Sequence, residues 1–274
     1  MISMQLGAAF AKGLFPRVGP QGATALRLGF SALILGAVRR PWRNLRLGRS
    51  SLPLVAYGLS LGAMNTLFYM ALRTVPLGIA IAREFIGPLS VAMLASRRWL
   101  DGVWIALVVA GLLLLLPLGR SIHAVDPAGA CLALGSGACW ALYIVFGRRV
   151  GETLGPSATA LGMIIAAAVF VPIGVARAGP ALFDLAVLPS GVLLALLSSA
   201  VPYSLEMIAL TRIPARAFGT LMSLEPVVGT LAGLAILGEI PAPIQWAGIA
   251  AIVLASLGTT LTLSPTPPQT LTAN

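Results

Sequence analysis

Ten runs of continuously apolar sequence leave this chain almost no way to fold in water. They fall at about 1–15, 23–38, 52–72, 77–96, 102–119, 128–147, 158–176, 187–210, 216–237 and 243–263. A spanning helix needs roughly 20 mostly apolar residues. Barrel strands would be roughly 10 residues long and would alternate apolar with polar. The runs are continuous, and Pro, Gly and Arg clusters separate them, marking helix ends and interfaces. Charged residues make up only 9% of the 274, against roughly 25% in soluble domains. The expectation is an all-α polytopic membrane protein with about ten transmembrane helices and no separate soluble domain. Met1 to Leu14 is apolar but too short to span and lacks the basic start of a signal peptide. It reads as the second half of a spanning helix, so the first helix is expected to be N-terminally short. The Pro-rich residues 264–274 are expected to form a disordered tail.

The net charge of +10 is almost wholly arginine, Lys12 being the one lysine. The arginines lie in short loops between apolar runs, the pattern that encodes membrane topology rather than nucleic-acid binding. Loops after the second, fourth, sixth and eighth runs hold eleven (Arg39, Arg40, Arg43, Arg46, Arg49, Arg97, Arg98, Arg148, Arg149, Arg212 and Arg216), and the other loops hold four. The positive-inside rule then places both termini in the cytoplasm. Cys131 and Cys139, eight residues apart on one helix, would lie roughly 12 Å apart, too far for a disulfide. With a single histidine, no metal site or cofactor is expected.

The chain repeats itself. At a shift of 138, Ala71-Leu72-Arg73-Thr74-Val75-Pro76 falls on Ala209-Leu210-Thr211-Arg212-Ile213-Pro214, Pro88 on Pro226 and Asp101 on Glu239. At a shift of 135, Ala23-Thr24-Ala25-Leu26 falls on Ala158-Thr159-Ala160-Leu161. Two units follow, 1–119 and 128–263, each of five helices. An odd number of spans inserts the second unit from the opposite side, giving two inverted five-helix repeats. Secondary transporters of this architecture hold their site near the bilayer midplane, between the repeats.

Six ionisable residues fall inside apolar runs: Lys12, Arg27, Arg83, Glu84, Glu206 and Glu225. Each costs at least ~2.5 kcal/mol to bury unpaired in hydrocarbon, and such residues usually mark a pathway. With three basic and three acidic, mutual neutralisation across a shared cavity is one expectation; structural pairing or snorkelling is the other. Glu84 precedes Gly87 and Pro88, and Glu225 directly precedes Pro226, so each sits beside a proline that frees a backbone carbonyl. Arg27 offers a fork that fits a carboxylate, and a glutamate would take an ammonium. Asn65, Tyr69, Tyr203 and Trp140 are candidates for further hydrogen bonds or an apolar wall. Adjacent Arg83 and Glu84 point about 100° apart and cannot face one spot. The pairs Gly58/Gly62 and Gly229/Gly233 read as close-packing positions.

The stretches Gly62-Ala-Met-Asn-Thr-Leu-Phe-Tyr, Glu84-Phe-Ile-Gly-Pro-Leu, Ala133-Leu-Gly-Ser-Gly-Ala-Cys-Trp-Ala, Pro202-Tyr-Ser-Leu-Glu-Met-Ile-Ala-Leu-Thr-Arg and Phe218-Gly-Thr-Leu-Met-Ser-Leu-Glu-Pro resemble those of bacterial threonine/homoserine exporters. These form part of the EamA-type branch of the drug/metabolite transporter superfamily. The resemblance implies two EamA units in the bacterial inner membrane and export of small amino acids or related metabolites by proton antiport. Its expected partners are the substrate, protons and the lipid bilayer, with a homodimer left open. The matched intramembrane acids are Glu84, Glu206 and Glu225. Arg83 departs from the apolar residue the pattern carries there. The site expected from residues and resemblance together is Glu84, Glu225, Arg27, Glu206, Asn65, Tyr203 and Trp140. Export of another small metabolite or drug, and a non-transporting membrane component, are the alternatives. An intramembrane enzyme would need a catalytic constellation, which this sequence does not supply.

Overall fold

A computed structural model describes residues 1–44, 51–95, 99–115, 126–213, 218 and 221–262. The expected tail, 264–274, lies outside the described residues. No strand occurs among them. The helices are α1 (Ile2–Arg39), α2 (Ser51–Ala71), α3 (Leu77–Glu84), α4 (Ile86–Ala95), α5 (Trp99–Leu115), α6 (Pro127–Leu154), α7 (Ser157–Ala178), α8 (Leu188–Ala195), α9 (Val201–Arg212), α10 (Leu224–Ala232) and α11 (Pro243–Thr262). One-turn π-helical segments continue α8 (Leu196–Ala200) and α10 (Gly233–Leu237).

Helix α1 doubles back at Gly19, whose φ of 69° and ψ of 173° suit glycine alone; Pro20 follows, with no amide to donate. The reversal is visible in its contacts. Ser3 donates to the Leu197 carbonyl from one arm, and Ser31 donates to the Ala195 carbonyl from the other. Among the described residues, six helical stretches are long and apolar enough to cross a membrane, and three shorter apolar helices accompany them. With the two arms of α1 counted separately, the described residues make ten passes.

The passes end close to where the apolar runs end, with two differences. Helix α6 runs on to Leu154, more than a turn beyond its apolar run, carrying the exposed Arg148–Glu152 pair (3.4 Å), and stops at Gly155 with φ of 53°. The run 77–96 is two helices, α3 and α4, with a break at Phe85. The second half breaks 138 residues later, at Ser223: φ and ψ are −64° and −15° at Phe85, −61° and −14° at Ser223. Each break precedes a proline by three residues, Pro88 and Pro226.

Packing is closest between α1 and α7, α2 and α6, and α5 and α11. Small residues permit it. A Cβ on Gly58 or Gly62 of α2 would overlap Ile165 or Phe170 of α7, and one on Gly87 would overlap the Gly137 carbonyl oxygen of α6. Large apolar side chains such as Leu33, Leu94, Leu205 and Leu254 cover the outside, as a lipid-facing shell requires. Asp126 caps α6 by accepting from the Ala128 and Gly129 amides and is held by Thr74 (2.9 Å). The Thr74 hydrogen bond, with those two amides, holds its carboxyl below the usual aspartate range. Both cysteines are free thiols.

Candidate functional site

The site begins with a proline. Pro202 has no amide to return to the carbonyl one turn back, and the π-helical turn before it shifts the ladder further. The Ser198 carbonyl is thereby available, and Arg27 donates to it through Nη2 at 2.5 Å. Arg27 Nε donates to Ser199 Oγ (2.6 Å), and its Nη atoms donate to the hydroxyls of Tyr69 (3.2 Å) and Tyr203 (3.3 Å). Its guanidinium also lies 5.3 Å from the Tyr69 ring centroid and 5.7 Å from that of Tyr203. Gly7 lets the first arm of α1 close over this turn, since a Cβ there would stand 2.6 Å from Ser198 Cβ. Arg27 is 3% exposed, and among the described residues no carboxylate lies within ion-pairing distance of it.

Around Arg27 the structure gathers Glu84, Glu206, Glu225, Asn65, Tyr203 and Trp140. With Arg27, all seven expected site residues line one cavity. Met4, Met64 and Phe68 form its apolar wall, and Gln5 adds an amide. Asn65 Nδ2 donates to the Leu61 carbonyl (2.7 Å) and to the Tyr203 hydroxyl (3.1 Å). Asn65 and Tyr203 are themselves 138 residues apart, the spacing of the repeat. Gln5 Nε2 donates to Glu225 (3.1 Å). Trp140 packs edge-on against Phe85, the residue at the helix break.

Glu84 has an informative partner. Ser136 Oγ lies within hydrogen-bonding range of a Glu84 carboxyl oxygen and of the Met64 carbonyl (2.8 Å). A hydroxyl has one proton to give. Both contacts are satisfied at once only when Glu84 carries a proton and donates it to Ser136 Oγ while Ser136 donates to Met64. The pocket is thus arranged to accept a protonated Glu84. In charge terms three carboxyl groups face one guanidinium in the cavity.

The expectation that six ionisable residues neutralise one another in one cavity is corrected. Lys12 points away from it and pairs with Glu239 (2.6 Å), which lies past the end of its apolar run. Arg83 does not line the cavity, and its Nη1 has no hydrogen-bond partner among the described residues. The angle between adjacent helical positions sends Arg83 away while Glu84 turns inward. Gln5, Ser136, Ser198 and Ser199 were not singled out by sequence. Short neutral polar residues serve ordinary packing in membrane helices, so they carry no signal of their own.

Comparison with known proteins gives the site its context. The chain is 55% identical over 263 residues to "Threonine/homoserine exporter RhtA" of Escherichia coli (strain K12), covering 96% of this chain and 89% of that protein. Residues 127–261 match the model of the EamA-like transporter family. The chain belongs to the EamA-like transporter family. Its similarity to the exporter of the same name in Salmonella typhimurium (strain LT2) is 54% over 267 residues, 97% of this chain and 90% of that one. It is also 28% identical to a Bacillus subtilis (strain 168) protein described as "Uncharacterized transporter YwfM", over 89% of this chain and 87% of that protein. A crystal structure of a protein 21% identical matches with a TM-score of 0.74 over 95% of this chain and 94% of that one, a likeness of fold. These family relatives are transporters, and the chain is a multi-pass membrane protein of a bacterial exporter family rather than an enzyme.

Proposed function

We propose that this protein exports small amino acids, threonine and homoserine foremost, across the bacterial cytoplasmic membrane, by alternating access coupled to proton antiport. One observation carries the reading: a buried guanidinium without a carboxylate partner shares its cavity with three carboxyl groups. An amino acid brings the complementary charges. Its carboxylate suits the uncompensated charge of Arg27, and its ammonium suits Glu206 or Glu225. The resemblance to RhtA over nearly the whole chain supports the substrate class. The surplus of carboxyl groups and the arrangement of Ser136 about Glu84 support proton exchange. The units 1–119 and 128–263 act as two inverted halves; matching breaks at Phe85 and Ser223 and the Asn65–Tyr203 contact support that pairing. The arginine count supports cytoplasmic termini.

The test is flux in proteoliposomes holding the whole chain. Wild-type protein is expected to move radiolabelled homoserine and threonine against a gradient when a pH difference is imposed. Glu84→Gln, which keeps the shape and removes the titrating proton, is expected to lose at least about tenfold of the pH-driven flux while remaining folded. Neither amino acid moving would overturn the substrate reading, and unchanged pH-driven flux in Glu84→Gln would overturn the role of Glu84.

A further inference from the structure

Outside the Arg27 cluster, the buried hydroxyls of Tyr57, Tyr143 and Thr159 make no well-formed hydrogen bond among the described residues, and that of Tyr57 faces those of the other two. They come from α2, α6 and α7, and all are fully or nearly fully buried. In the cavity wall Glu206 Oε1 is in the same condition. Buried polar atoms without partners are rare. Several together commonly hold an ordered water that makes about three hydrogen bonds.

Their order in space gives the group a direction. Tyr203 lies in the cavity wall, and its ring is 5.8 Å from that of Tyr143. Tyr143 stacks on Tyr57 at 5.1 Å. The Tyr57 ring is seated between Gly147 of α6 and Gly162 of α7, where a Cβ on either would crowd it. Thr159 is one turn before Gly162, so it lies on the same face of α7. Glu206 follows Tyr203 by one turn on α9, and its carboxyl is within electrostatic reach of both Tyr57 and Tyr143. Around Glu206 the cavity also holds the charged groups Arg27, Glu84 and Glu225 and the donors Gln5, Asn65, Trp140 and Tyr203, and the Met1 amino group acts on Glu206 as well. Thr159 sits in the first turn of α7, at the end of the molecule that carries Arg148, Arg149 and Glu152.

We propose that Tyr57, Tyr143 and Thr159 hold buried water and with it form a proton path between Glu206 and the face bearing Arg148 and Arg149. The proposal rests on the antiport reading. Each step exchanges one O–H bond for another. The Glu206 carboxyl gives its proton to the first water, each hydroxyl accepts a proton on oxygen and passes on its own, and one proton leaves beside Thr159. No charge other than that proton is displaced. The substrate needs none of these three residues, so the path separates proton movement from amino-acid binding.

The experiment compares Tyr57→Phe/Tyr143→Phe/Thr159→Val with wild type in proteoliposomes, using two readings. One is exchange of labelled for unlabelled homoserine at equal pH, which moves no net proton. The other is net homoserine flux driven by a pH difference. The expected result is exchange within about twofold of wild type and a loss of at least about tenfold in pH-driven flux. Tyr143→Phe alone, which keeps the ring and its stacking, is expected to show the same split in smaller measure and guards against misfolding of the triple variant. Undiminished pH-driven flux, or exchange falling in step with it, overturns the path. A wild-type protein that exchanges homoserine but ignores the pH difference overturns antiport, and the path with it.

Discussion

Arg27 is held by a serine hydroxyl, a backbone carbonyl and two phenols, none of which neutralises it. Such a cradle fixes direction without using up charge, and it depends on the planar fork of arginine. Lysine offers one compact ammonium and reaches fewer of the four partners at once. Arg27→Lys is therefore expected to stay folded, since charge and burial are kept, and to lose at least about tenfold of homoserine flux. Flux near wild type, read beside an unchanged melting temperature, would show that only charge matters there. The residues legible in the sequence were those whose presence in an apolar run is costly. Arg27, Glu84, Glu206 and Glu225 stood out because hydrocarbon penalises charge. Their neutral supports did not: Ser136, Ser198, Ser199 and Gln5 are recognisable only by what they touch. Lys12 stood out for the same reason, but its partner Glu239 lies beyond the run, so the pairing was not readable.

The elements that build the site are interrupted helices. Proline marks each of them in sequence: Pro88, Pro202 and Pro226 identify where carbonyls are freed. The π-helical turn at Leu196–Ala200 has no comparable mark, because Leu-Leu-Ser-Ser-Ala suits an ordinary helix equally well. What sets it is tertiary: Gly7 admits α1 against Ser198, and Arg27 takes the carbonyl. Likewise α6 outruns its apolar pattern because a polar Arg148–Glu152 pair sustains a helix as readily as leucine does. At the break in the first half, Gly87 and Gly137 bring backbone against backbone, and the Glu84 carbonyl freed by Pro88 faces Gly137. Gly87→Ala is expected to destabilise the protein by about 1–3 kcal/mol or more, as overpacking does, with a lower melting temperature and reduced flux. Gly102→Ala on α5, where a Cβ meets nothing within 4 Å, is the control and is expected to melt as wild type. Equal melting of the two variants would show that the α6 contact yields freely.

At the scale of the whole molecule, an alternating-access exporter must close each face in turn, and the end opposite Arg148 and Arg149 has a visible clasp. Glu239 reaches across with both oxygens. One pairs with Lys12 of α1, and the other accepts the first amide of α3, Leu77, at 2.9 Å. Three passes are thereby tied at one point: the first arm of α1, the start of α3 and the end of the pass formed by α10. The pair is about one-quarter exposed on each side, so it contributes on the order of 1 kcal/mol at most. That is enough to shift a two-state population about fivefold without locking either state. Ile79 lines a cavity beside Glu239 and is a suitable reporter. In a background with Cys131 and Cys139 replaced, Ile79→Cys is expected to react with a membrane-impermeant maleimide about fivefold faster when Lys12→Met is added. Glu239→Gln, which keeps an acceptor for Leu77 but loses the charge, is expected to give the same direction. Opening this face by breaking the clasp also withdraws protein from the opposite state, so homoserine exchange should slow while the melting temperature falls only slightly. Labelling that is unchanged or slower in both variants would show that the clasp is a static brace, and that closure of this face is governed by the packing of α3 against α10 instead.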